Sequence, residues 1–192
     1  MVNRIGITGP MWSGKTYELR ELATSIAAAN NDDVIGIEPI WNTRRSSCEL
    51  AQVASFPVIV LSNDHGHGGC GPFKEDMPVV AGGVDWEVPF ADVYAFDEVH
   101  LYEVHGQLEA FIRLVFLLPG TVLLSGLWSD CYNSYDTFKV WRELVPHLNE
   151  VRVLQSRVPC AQCADPDAQY SKSTGGPKVG DSYVNVCRKC RD

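Results

Sequence analysis

The stretch Gly9-Pro10-Met11-Trp12-Ser13-Gly14-Lys15-Thr16 decides how the rest of the sequence is interpreted. It matches the phosphate-binding pattern G-x-x-x-x-G-K-[ST] at every position. Residues 4–8 before it have the composition of a short buried strand. After it, apolar residues recur at the spacing of one helix face, at Leu19, Leu22, Ala23 and Ile26. The sequence therefore predicts a strand, a loop and a helix, the context in which this pattern binds phosphate; a glycine turn that matches by chance is the alternative.

This context gives the loop a definite chemistry. Its backbone N–H groups surround the β- and γ-phosphates, Lys15 reaches them as a point charge, and the Thr16 hydroxyl is placed on Mg²⁺. We therefore expect the chain to bind ATP and Mg²⁺. The residues predicted to bind this cofactor are Gly9, Pro10, Met11, Trp12, Ser13, Gly14, Lys15 and Thr16.

Composition narrows the class of protein. The chain has 192 residues, 45% of them hydrophobic and 21% charged, which is enough for one substantial core. Its formal net charge of -8 argues against a general nucleic-acid binder, which needs clustered cations. No apolar run of transmembrane length and no signal-peptide pattern occurs, so we expect a cytoplasmic protein with a small-molecule substrate and neither nucleic-acid nor membrane partners.

The remaining pattern predicts an α/β fold. Helices are expected over residues 15–29, 106–118 and 135–145, the second of them apolar on nearly all sides and thus buried between the sheet and a partner surface. The strand over 34–37 is expected to pair in parallel with the first strand as a βαβ unit. Residues 63–85 read as a long loop with one short element around 77–81. Further strands are predicted over residues 57–61, 92–96, 121–127 and 151–154. About six strands with intervening helices predict a mostly parallel sheet with helices on both faces.

Two adjacent carboxylates, Asp97 and Glu98, follow the apolar strand 92–96. Successive residues of a strand point to opposite sides, so these two side chains are expected to have different neighbours. Asp97 can face the Mg²⁺ of the phosphate loop as a Walker B aspartate does, which leaves Glu98 for a separate task.

Two further segments leave alternatives open. Arg44 and Arg45 follow the strand 34–37, at the sheet edge where α/β proteins bind ligands, and either hold a phosphate or form a solvated loop. Residues 64–70 contain an aspartate, two histidines and a cysteine, but their spacing matches no familiar metal site, so a surface loop is the favoured interpretation.

The last part of the chain predicts a zinc site. Two C-x₂-C pairs are separated by 23 residues, and four thiolates at this spacing suit tetrahedral Zn²⁺. Four protein ligands close the coordination sphere, so the zinc is expected to be structural; two disulfides or inert thiols are the alternatives. We expect domains at 1–158 and 159–192, with the loop 164–186 folding over a substrate. The predicted ligands are Cys160, Cys163, Cys187 and Cys190, and the predicted lone thiols are Cys48, Cys70 and Cys131.

The phosphate loop, the Asp97-Glu98 pair, the Gly-Leu strand end at 126–127 and the cysteine pattern closing on Y-x₃-C-R-x-C together resemble the type II thymidine kinases. The resemblance runs through most of the chain. It implies a RecA-like P-loop domain, a small zinc-ribbon domain with a lasso loop, and ATP-dependent transfer of the γ-phosphoryl group to the 5′-hydroxyl of thymidine, forming dTMP in nucleotide salvage for DNA synthesis. It also implies a homotetramer and feedback inhibition by dTTP.

Family roles transfer to matching positions. Glu98 stands where the family has its general base, and Asp97, like Thr16, where it has a Mg²⁺ ligand. The positions that match substrate-binding residues are Met11, Arg44, Leu101, Leu127, Ser171, Val179, Gly180 and Tyr183.

The departures from the family pattern surround the base. Leu101 replaces a pocket phenylalanine, Asn42 an aspartate and Asn63 a histidine, and Trp128 to Cys131 replace an acidic and aromatic run. Fewer aromatic side chains mean weaker stacking on a pyrimidine. Two alternatives therefore stay open: a kinase of the same fold for another or a modified deoxynucleoside, and a nucleotide-binding regulator without turnover.

Overall fold

The computed structural model describes residues 2–42, 49–61, 67–69, 79–81, 87–129, 136–174 and 183–191. Its strands are β1 (Asn3–Gly9), β2 (Val34–Pro39), β3 (Val58–Leu61), β4 (His67–Gly69), β5 (Val79–Ala81), β6 (Glu87–Pro89), β7 (Val93–Phe96), β8 (Thr121–Leu127), β9 (Glu150–Val153), β10 (Tyr170–Ser173) and β11 (Tyr183–Val186). Its α-helices are α1 (Lys15–Asn30), α2 (Glu49–Val53), α3 (His100–Val104), α4 (Leu108–Leu117) and α5 (Lys139–Leu144), with 3₁₀ turns at Val145–His147 and Arg188–Cys190.

The main sheet has seven strands in the order β4-β3-β2-β7-β8-β1-β9. Every neighbouring pair is parallel except β3 and β4, which are antiparallel. The predicted α/β class with a mostly parallel sheet is therefore confirmed. Two small antiparallel sheets, β5-β6 and β10-β11, lie outside it.

Apolar side chains on the central strands alternate between two separate cores. On one face of the sheet, Val93 and Ala95 pack with Leu19 and Ala23 of α1. On the other face, Tyr94 and Phe96 belong to a cluster that includes residues of α3, α4 and α5. Strands covered on both sides are continuously apolar, which is why residues 93–96 show no polar alternation. The predicted helices on both faces are confirmed.

The predicted pairing of the first two strands is wrong. β1 lies between β8 and β9, whereas β2 lies between β3 and β7, so two strands separate β1 from β2. The crossover through α1 still returns the chain in the same direction. The apolar pattern identifies each strand, but neighbours in the sheet are chosen by packing among segments far apart in sequence.

The predicted helices need corrections at their ends. The helix expected over 106–118 is α4, which is shorter and buries Phe111, Leu114 and Val115 but leaves Leu117 51% exposed, so it is not covered on all sides. The helix expected from 135 begins only at Lys139, because Thr137 forms an isolated antiparallel bridge with Ser129. The short helix α3 was not predicted, since five residues carry too little periodicity to be recognised.

Two segments interpreted as loops contain strands. Within 63–85 the expected short element is β5, but β4 also lies there, paired with β3. Within 164–186, β10 and β11 pair in antiparallel register from Tyr170 with Val186 to Ser173 with Tyr183, so the expected long loop is wrong over these residues. Across the described parts of the chain, no helix combines the length and the apolar character needed to span a membrane.

Candidate functional site

The candidate site lies where three strands of the main sheet end. Gly9 is the last residue of β1, Glu38 is the penultimate residue of β2, and Asp97 directly follows β7. The register that pairs Ile37 with Phe96 places Glu38 and Asp97 at the same edge, and Asp97 N–H donates to Ile37 O at 2.9 Å. Ligands of α/β sheets bind at such carboxyl ends.

The loop between β1 and α1 depends on its two glycines. Gly14 has a φ of 87°, a left-handed conformation that side chains rarely adopt, and it directly precedes the first residue of α1. At Gly9 a Cβ atom would lie 2.6 Å from Leu154 O, so a larger residue would push away the segment after β9. The loop therefore takes this path only with glycine at both positions.

The polar side chains of the loop are held in defined positions. Thr16 Oγ1 donates to Asp97 Oδ2 at 2.7 Å, and Lys15 Nζ donates to Pro10 O at 2.7 Å. Ser13 Oγ is buried and has no hydrogen-bond partner among the described residues. A hydroxyl donor without a partner inside a glycine-rich loop fits a phosphate oxygen, and the Thr16 and Asp97 oxygens are the ligand types that Mg²⁺ takes. The residues present thus fit a phosphate group and a divalent cation such as Mg²⁺.

The carboxylate of Asp97 lies in a buried environment. Burial raises its pKa, the negative charge of Glu98 raises it further, and the hydrogen bond from Thr16 opposes both effects. A divalent cation beside the carboxylate would favour the charged form. The pair of buried carboxylates is therefore suited to a site that receives positive charge from a ligand.

Glu98 leaves the strand direction immediately after Asp97. Its φ is 52°, which is uncommon for a residue other than glycine, and its side chain is buried. Glu98 Oε2 lies 3.3 Å from Nδ1 of His100, which is also buried and lies 3.3 Å from the Leu127 amide nitrogen. Strained backbone of this kind occurs where a side chain must be aimed at a particular point.

Glu38 is a site residue that sequence reasoning missed. It is buried, accepts hydrogen bonds from Leu50 N–H and from Asn42 Nδ2, and its pKa is raised to about 7 by burial and then by the charge of Asp97. The available signal was its position: a carboxylate at the end of an apolar strand, as at Asp97. Which strands are neighbours decides whether two such residues meet, and that order was not known from the sequence.

The four predicted metal ligands come together. The Sγ atoms of Cys160, Cys163, Cys187 and Cys190 all lie within 4.8 Å of one another, and all four thiols are free. Thiols at this mutual distance can be ligands of one metal ion, and four sulfur ligands select zinc or iron. Cys48, Cys70 and Cys131 lie outside the residues whose side chains the structure describes.

The hairpin β10-β11 joins the cysteine cluster to the Gly9–Thr16 loop. Ser171 Oγ accepts a hydrogen bond from Met11 N–H at 2.7 Å, and Asn185 Nδ2 donates to Met11 O at 2.6 Å. Both side chains are buried. The backbone of Met11 is thus held on both of its polar groups by residues more than 150 positions later in the chain.

The predicted substrate residues divide into two groups. Met11, Leu127 and Tyr183 are buried in one apolar cluster, and Leu101 and Ser171 are also buried. Arg44, Val179 and Gly180 lie outside the described residues, as does Arg45. The structure thus gathers Met11, Leu127 and Tyr183, although these residues come from distant parts of the chain.

Asn185 was missed by sequence reasoning, because nothing near it in the sequence shows that its side chain faces Met11. Its position two residues before Cys187 was the only available signal, since side chains alternate along a strand. Comparison with known proteins adds no assignment: no protein-family model matches the chain, and no curated protein matches it.

Proposed function

We propose that this chain is an ATP-dependent deoxynucleoside kinase of the type II thymidine kinase kind, with thymidine as the first candidate substrate. The observation that carries the proposal is the hydrogen bond from Thr16 Oγ1 to Asp97 Oδ2 at 2.7 Å, with Glu98 next in the chain. It brings together the two elements, a P-loop and a Walker B carboxylate, that together hold a triphosphate and its metal.

On this proposal the loop Gly9–Thr16 binds the triphosphate of ATP. Its backbone N–H groups, the Lys15 ammonium and the buried Ser13 hydroxyl are the donors for phosphate oxygens. Lys15 is held near the loop by its hydrogen bond to Pro10 O, so it needs only a short movement to reach a phosphate. Thr16 and Asp97 would hold Mg²⁺, which supplies positive charge to the transferred phosphoryl group.

Glu98 is the proposed general base. The 5′-hydroxyl oxygen forms a bond to the γ-phosphorus while the bond to the β,γ-bridging oxygen breaks, and Glu98 accepts the hydroxyl proton as ADP leaves. The positive φ of Glu98 and the contact of its carboxylate with His100 support this role, because a base must be aimed at one hydroxyl. A buried carboxylate beside Asp97 has no comparable use in a protein that only binds nucleotide.

The cysteine cluster takes a structural role in the proposal. Zinc on its four thiols would close a zinc ribbon, and β10-β11 would extend from it as the base of the lasso that covers the nucleoside. Met11, Leu127 and Tyr183 are the proposed floor of the nucleoside pocket. A cytoplasmic homotetramer inhibited by dTTP completes the proposal, and this part rests on resemblance alone.

The main competing possibility is a substrate with a different nucleobase. Next to Leu101, which stands where the family has a phenylalanine, the His100 ring lies 5.1 Å from Phe138 in a tilted contact. A leucine in place of the phenylalanine removes an aromatic face that would stack on a pyrimidine, which favours a nucleobase held by other contacts. A modified pyrimidine or a purine deoxynucleoside is therefore the second candidate substrate.

The test is transfer of labelled γ-phosphate from ATP to each natural deoxynucleoside, with the product identified as a 5′-monophosphate. Transfer to thymidine supports the first candidate, and transfer to another nucleoside supports the second. ATP binding without transfer to any nucleoside would refute the kinase proposal and leave the nucleotide-binding regulator.

A further inference from the structure

An arginine outside every recognised motif lies against the phosphate-binding loop. Arg157 belongs to the segment between β9 and the first cysteine pair, and its guanidinium packs on Gly14: a Cβ atom placed on Gly14 would lie 2.6 Å from Arg157 Nη2 and 3.0 Å from Nε. Such separations leave no room for a side chain at this position. The cation therefore lies directly beside the start of α1, where backbone N–H groups without helical partners attract anions.

The segment that contains Arg157 is hydrogen-bonded to β1 and to β11. Leu154 N–H donates to Thr8 O at 2.7 Å, which ties the segment to β1 immediately before the loop. Ser156 Oγ accepts from Asn185 Nδ2 at 2.6 Å and donates to Val158 O at 2.7 Å. Arg157 thus projects from an anchored segment, and its guanidinium lies against the loop at Gly14.

The charge of Arg157 has no carboxylate partner in the part of the chain that the structure describes. Its side chain is exposed, it forms no ion pair with a described carboxylate, and its only described ring contact is with Tyr17, at 5.9 Å from Cζ to the ring centroid. Arg152, five residues earlier, instead bonds both Glu18 and Glu150 at 2.7 Å. In a chain of net charge -8, a guanidinium that pairs with no described carboxylate beside this loop is available for an anionic ligand.

The ligand chemistry follows from what surrounds the cation. Lys15 is the one cation that the loop motif supplies, and Asp97 and Glu98 bring negative charge to the same site. A triphosphate there needs further positive charge. A guanidinium presents donors in a fork that matches two phosphate oxygens, and an arginine supplied from the same chain is one known way to stabilise charge in phosphoryl transfer.

We infer that Arg157 binds the polyphosphate of the nucleoside triphosphate from the outer side of the Gly9–Thr16 loop. The inference rests on the proposed function, because it assumes that the loop binds a triphosphate. Arg157 is then a phosphate-binding residue contributed by the segment that leads into the cysteine cluster.

The test compares Arg157→Gln, Arg157→Lys and the matched control Arg142→Gln, which removes an exposed arginine from α5. Calorimetry measures binding of a non-hydrolysable ATP analogue, of inorganic tripolyphosphate and of thymidine. Arg157→Gln is expected to lower the affinity for the ATP analogue and for tripolyphosphate about 10-fold, as loss of a charged hydrogen bond does. Arg157→Lys should recover part of that loss, while Arg142→Gln and all thymidine affinities stay unchanged.

The outcomes separate this inference from the proposed function. If wild type binds the ATP analogue and Arg157→Gln binds it equally well, only the role of Arg157 is overturned. If Arg157→Gln lowers the affinity for thymidine as much as the affinity for tripolyphosphate, Arg157 supports the structure of the site and the inference is overturned. If the wild type binds neither polyphosphate, this inference and the proposed function both fail. Circular dichroism and zinc content check that each variant folds.

Discussion

The Gly9–Thr16 loop and the cysteine cluster differ in what holds each of them in place. The loop is held by contacts within it and with the main sheet: Thr16 bonds Asp97, Lys15 bonds Pro10, and Gly14 supplies the backbone turn. The cysteine cluster places four free thiols within 4.8 Å of one another, an arrangement that a bound metal would stabilise. The first region is organised by the sheet around it, whereas the second consists of four thiols that one metal ion could join.

The two regions are connected, so a change in the cysteine cluster is expected to reach the loop. Loss of a metal bound to the four thiols would release β10 and β11, and with them the hydrogen bonds of Ser171 and Asn185 to Met11. We therefore expect loss of the metal to disturb the Gly9–Thr16 loop through Met11.

The largest effect is expected from breaking the cluster with Cys187→Ser. A structural zinc site supplies about 10 to 16 kcal/mol of binding free energy in small zinc peptides, so loss of one thiolate should abolish stoichiometric zinc and unfold β10-β11. Metal analysis and hydrogen exchange over residues 160–190 measure this. Cys131→Ser, a predicted lone thiol, is the control. Full zinc content and unchanged protection in Cys187→Ser would contradict the account.

The next largest effect is the pH dependence of stability that arises from Glu38, which lies at the same edge of the sheet as Asp97. Folding raises the pKa of Glu38 from 4.5 to about 7, so the folded state favours its protonated form. Its stability contribution is therefore lost as pH rises from about 4.5 to about 7, and the total is on the order of 3 kcal/mol. Glu38→Gln should remove this loss and gain stability relative to wild type at pH 8 but not at pH 4.

Chemical denaturation at pH 4 and pH 8 measures the effect. Glu109→Gln, which alters an exposed carboxylate on α4, serves as the control and should follow the wild type. An equal difference between Glu38→Gln and wild type at both pH values would show that Glu38 ionises normally.

The smallest effect tests the connection between the two regions. Asn185→Ala removes the hydrogen bonds to Met11 O and Ser156 Oγ. It leaves the buried Met11 carbonyl without this donor, at a cost of about 1 to 3 kcal/mol. We expect reduced stability, weaker binding of an ATP analogue and normal zinc content. Gln169→Ala, which removes an exposed amide bonded only to Asp167 among the described residues, is the matched control. Loss of stability with unchanged nucleotide affinity would separate the two regions.

The sequence predicted the chemistry of both regions better than their relation. Local patterns were sufficient for β1, α1 and the four cysteines, because each depends on residue types at short fixed spacing. They were insufficient for the order of strands, where β7 and β8 separate β1 from β2, and for the meeting of Glu38 with Asp97. The contacts of Asn185 and Arg157 with the loop arise from packing over more than 140 residues, and no local pattern encodes them.

The rate of γ-phosphoryl transfer by wild type and Glu98→Gln, at saturating ATP and thymidine, tests the central claim most directly. The account predicts transfer by the wild type and a fall in kcat of about 10²- to 10⁴-fold in Glu98→Gln, the usual contribution of a general base. Affinity for an ATP analogue should not change, and Glu109→Gln should match the wild type. Equal rates in wild type and Glu98→Gln would contradict the account.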